Sequence, residues 1–174
     1  SCTGTPLLIT SAVPTPQLCA SMGSIVVTFG GGIAPYNISW TGGSATGVTS
    51  PYTITGLAGG TYNITITDAN SSTTNTTAAV QYLPVTNTTS NINYPTIQSA
   101  INAAGNNDML QVCAGTYAEN IVVNKPLDIR GPNYSINPNT GTRVAEAIIM
   151  PAVNDPENGV LIDVEASNVS FKGF

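Results

Sequence analysis

The side chains able to do acid–base chemistry in this chain are few and dispersed: nine carboxylates, four bases and no histidine in 174 residues. Asp68 stands alone in the first half. The other acids (Asp108, Glu119, Asp128, Glu146, Asp155, Glu157, Asp163 and Glu165) are spread over the second. Carboxylates that share acid–base work must lie within about 5–10 Å of one another. Asp163 and Glu165, two apart, could share a face, and a solvated surface explains them more simply. Glu119 and Lys125 read as corner residues. Cys113 ends the apolar run Leu110-Gln111-Val112 and reads as a small buried side chain, since no histidine is present to generate a thiolate. A lone Asp68 is a poor calcium cage; Asp68-Ala69-Asn70 reads as an Asx-stabilised turn. No catalytic residue, metal-ligand set or cofactor site is nominated.

Cys2 and Cys19 flank a short apolar segment. In an oxidising compartment they can pair, closing a loop that stabilises by about 3 kcal/mol; alternatively each has its partner outside this segment. Trp40 is the single tryptophan. It reads as a core plug between sheets, with a sugar-stacking platform as the alternative.

The elements that must position these groups follow from composition. Only 7% of residues are charged, against about 25% in ordinary domains, and Thr, Asn, Ser and Gly supply the polarity. That profile fits an all-β surface or secreted protein and not a disordered chain. A net charge of −5 without a basic cluster argues against nucleic acid and anionic membrane surfaces. No apolar run approaches a membrane span. From Ser1 to Ile92 the one charged side chain is Asp68. The change after it predicts a module over residues 1–85, a second over 86–174, and a turn-rich linker at Pro84–Asn93. The missing start methionine reads as processing, or as an excerpt of a longer protein.

In the first module, alternation predicts strands at Pro6–Val13, Ser24–Phe29, Tyr36–Trp40, Tyr52–Thr55, Thr61–Thr67 and Thr73–Leu83. Such short half-apolar strands suit a β-sandwich. Tyr62, after a glycine pair, has the position of a tyrosine-corner residue. The stretches GSIVVTFGGGIAPYNISWTGG and YTITGLAGGTYNITITDAN resemble the immunoglobulin-like repeat of large surface adhesins from gliding bacteria of the Bacteroidota, related to polycystic-kidney-type domains. The resemblance implies a spacer or adhesive module. It also implies a disulfide between the early cysteine position, here Cys19, and one after the DAN turn, where this chain has Ser71 and Ser72.

In the second module, Ile97, Ala100, Ile101 and Ala104 form one apolar helical stripe, predicting a helix over about 95–104 with Pro95 in its first turn and Gly105 at its cap. Short strands follow at Met109–Cys113, Glu119–Asn124, Leu127–Arg130, Ala147–Met150, Gly159–Val164 and Asn168–Phe174. Their corners are Gly115-Thr116-Tyr117, Asn124-Lys125-Pro126 and Gly131-Pro132-Asn133. Strands this short suit a coil that climbs and stacks. TIQSAINAA, DMLQVCAGTYAENIVVNKPLDIRG and GVLIDVEASNVSFKGF are similar to the N-terminal region of pectin-lyase-like right-handed β-helix proteins. The resemblance implies a helix capping the first coils, and places the active groups of the superfamily's lyases, esterases and glycosidases on later coils.

The expected fold is therefore all-β: an immunoglobulin-like sandwich followed by the capped start of a right-handed parallel β-helix with one short α-helix. The expected function is a non-catalytic segment of an extracellular adhesin or surface filament. The alternatives are the front of a secreted polysaccharide-active enzyme and a carbohydrate-binding module. Expected partners are further chain or a neighbouring subunit covering the open β-helix end, and polysaccharide; neither nucleic acid nor membrane insertion is expected. The N-x-S/T sequons at Asn37, Asn63, Asn70, Asn75, Asn87, Asn133 and Asn168 read as chance in so Asn- and Thr-rich a chain.

Overall fold

The computed structural model describes residues 4–152 and 159–174. The chain is all-β apart from one short helix, and divides into two compact units, Ser1–Tyr82 and Leu83–Phe174.

The first unit contains β1 (Leu8–Thr15), β2 (Gly23–Gly30), β3 (Tyr36–Trp40), β4 (Gly43–Val48), β5 (Tyr52–Leu57), β6 (Gly60–Thr67) and β7 (Thr73–Val80). They form two antiparallel sheets, ordered β1-β2-β5 and β4-β3-β6-β7. Alternation drives the inward residues together: Ile25, Val27 and Ile54 from one sheet join Ile38, Ile64 and Ile66 from the other in one buried cluster. This arrangement is consistent with a β-sandwich. Two details differ from the sequence reading. Strand β1 continues through Pro14 to Thr15, which an edge strand tolerates because the missing N–H costs it no inner ladder bond. Strand β4 was not expected, since GSATGV has almost no apolar alternation; it forms by pairing along β3.

The second unit contains β8 (Val85–Asn87), β9 (Ile92–Tyr94), α1 (Ile97–Ala103), β10 (Asp108–Val112), β11 (Gly115–Ala118), β12 (Ile121–Val123), β13 (Leu127–Arg130), β14 (Ala147–Met150), β15 (Ile162–Val164) and β16 (Ser170–Lys172). The expected linker is therefore a hairpin: β8 and β9 pair antiparallel, and Val85 is fully buried. Gly115-Thr116-Tyr117, expected as a corner, is a strand that buries Tyr117. The later strands pair by one rule, each in parallel with the third strand after it: β10 with β13, β11 with β14, β12 with β15, and β13 with β16. Inward residues stack in rows, such as Leu110 on Ile129 on Phe171. Leu110, Ile121, Val123, Leu127 and Ile129 share one core with Ile97, Ala100 and Ile101 of the helix.

Helix α1 has only seven residues and would be marginal alone. Burial of Ile97 and Ile101 supplies about 1.5–3 kcal/mol each. Its ends differ from expectation. Thr96 is the N-cap, with a capping box to Ser99, so Pro95 lies outside the helix. Ala104, in extended conformation, closes the C-terminus, while Gly105 donates its N–H to Asp108 at 2.8 Å.

Candidate functional site

The residues singled out for chemistry fall into three groups. The first serves α1. Glu119 accepts from the backbone N–H of Ile97 through one carboxylate oxygen and of Gln98 through the other, both at 2.9 Å. Lys125 Nζ donates to the carbonyls of Asn102 at 3.1 Å and Ala104 at 2.9 Å. The two residues read as corner-makers are thus placed at opposite helix ends, each with the sign of charge that the helix dipole favours there. Gln98 completes the attachment by donating to and accepting from the backbone of Val122. With Ala104 N–H on the Ala100 and Ile101 carbonyls and Lys125 on that of Asn102, the helix ends without a left-handed glycine cap.

The second group lies on the outer face of the β10-β13-β16 ladder. Gln111, Arg130 and Lys172 form one row, and Met109, Asp128 and Ser170 the next. Arg130 donates to Asp128 Oδ2 through both Nε and Nη2, and its guanidinium lies 4.8 Å from the centre of the Tyr134 ring. Lys172 Nζ stands 3.4 Å from Asp128 Oδ1, an oxygen that is buried and has no hydrogen-bond donor. The lysine's charge compensates that oxygen at a separation beyond good hydrogen-bond length. The Arg130 hydrogen bond holds the Asp128 carboxyl below the usual range, and Asp128 reciprocally raises Arg130. A carboxylate locked this way is a poor proton donor and a weak base near neutral pH. The ladder positions beside it, Met109 and Ser170, carry no second carboxylate.

The third group consists of acids that brace loops. Burial alone would raise Asp68, yet the backbone N–H groups of Ser72, Ile33 and Asn70 outweigh it and leave this carboxyl below its ordinary value. The contact to Asn70 is the expected Asx turn. Asp108 is lowered by the side-chain amide of Asn87, then by Gly105 N–H. Glu146 pairs with Arg143. Asp163 and Glu165 are exposed at β15 and just beyond it, and Asp155 and Glu157 lie outside the described residues. Among the described residues, no group of three or more His, Cys, Asp or Glu is placed to hold a metal ion.

Trp40 is half-buried against the core of the first unit, its indole over Gly43 and tilted on Tyr52 at 6.5 Å between ring centres. Tyr62 makes the expected corner, donating its hydroxyl to Ala58 O at 2.9 Å. Cys19 and Cys113 are each disulfide-bonded; Cys2, the partner considered for Cys19, lies outside the described residues. Cys113 is buried, but as half of a disulfide and not as the plain apolar side chain expected. The sequon residues Asn87 and Asn133 are buried with their amides engaged, which makes them structural. Among the described residues, no helix is long and apolar enough to cross a membrane.

No family model matches this chain, and no curated protein or solved structure was found to be similar to it.

Proposed function

We propose that this chain is a non-catalytic segment of a large extracellular surface protein, an immunoglobulin-like spacer followed by the opening coils of a right-handed parallel β-helix stalk. The observation that carries the reading is the pairing rule of the second unit, in which each strand from β10 to β13 lies parallel to the third strand after it. A chain that repeats this rule climbs as a stack of coils. Helix α1 and the β8–β9 hairpin cover one side of the stack. The other side carries an apolar depression of about 380 Å³ lined in part by Ile149, Leu161, Phe171 and Phe174. In this reading a further coil packs there and pairs with the free edges of β14, β15 and β16, which would otherwise invite aggregation. The disulfide-bonded Cys19 and Cys113 support an oxidising, extracellular setting.

A second reading, the front of a secreted polysaccharide-active enzyme whose active groups lie on later coils, draws on the same coil pairing. One pair of experiments separates the two. Immunogold labelling of intact producing cells, with antibody to this chain, is expected to decorate the surface. The natural protein containing this chain is expected to release no sugar product from plant or microbial polysaccharides. Labelling confined to the cell interior would overturn the proposal, and product release would favour the enzyme.

A further inference from the structure

We draw no further inference here: the strongest candidate, the apolar depression of the second unit lined in part by Ile149, Leu161, Phe171 and Phe174, already belongs to the proposed stacking of a further coil, and nothing in the structure shows what covers it.

Discussion

Glu119 and Lys125 hold opposite ends of the same seven-residue helix, the carboxylate on the N–H groups of Ile97 and Gln98, the ammonium on the carbonyls of Asn102 and Ala104. With the Thr96–Ser99 capping box, every backbone N–H from Thr96 to Ser99 has a side-chain acceptor. Replacing Glu119 with Ala strands two of these donors at once. We expect Glu119→Ala to cost about 2–3 kcal/mol in denaturant unfolding of the second unit, and Lys125→Met about 0.5–1 kcal/mol. Equal, negligible effects of both would show that the apolar stripe alone seats the helix.

Gly131 and Gly173 lie one above the other where β13 and β16 end. A Cβ on Gly131 would overlap the backbone of Gly173, and Gly173 itself sits at φ +73° against the backbone of Asn133 and Tyr134. Gly131→Ala is expected to destabilise the second unit by about 1–3 kcal/mol, read as a lowered denaturant midpoint. An unchanged midpoint would mean that β16 packs differently on β13.

Asp68 links acid stability to the first unit. Its folded pKa lies below the ordinary value, so the stabilisation it gives is present above the unfolded value of about 3.9. It is lost as pH falls from there through the lowered folded value. Acid titration of unfolding should show this limb in the wild-type chain. In Asp68→Asn the limb is expected to flatten, at reduced stability near pH 7. A limb of equal steepness in the variant would assign it to other carboxylates.

Trp40 is predicted to matter for folding, since its indole packs against the core of the first unit. Trp40→Ala should lower the stability of the first unit by about 2–4 kcal/mol, read as a lowered denaturant midpoint. An unchanged midpoint would mean that the indole does not plug the core and would restore the stacking role.

Much of the fold was legible because burial leaves a period. The stripe Ile97, Ala100, Ile101 and Ala104, the alternation Ile25, Val27, Phe29, and the run Ala147–Met150 each named an element that the structure contains. Elements held by pairing and not by their own apolar pattern were missed, as with β4 and the β8–β9 hairpin. The roles of Glu119 and Lys125 depend on a helix that lies over 20 residues earlier in the chain, and no local pattern reports such a contact. The polar outer face of the β4-β3-β6-β7 sheet was visible only indirectly. Alternation of inward Ile with outward Asn, Ser and Thr writes N-x-S/T by construction, which is why the sequons at Asn37 and Asn63 fall on that face.

The central claim, that the second unit begins a stack of parallel coils, is tested most directly by cross-strand nuclear Overhauser contacts in the isotopically labelled chain. The account predicts backbone contacts of Tyr117 with Ile149, Val123 with Val164, and Ile129 with Phe171, in parallel register. Antiparallel contacts between consecutive strands, such as Asp108–Val112 with Gly115–Ala118, would contradict it.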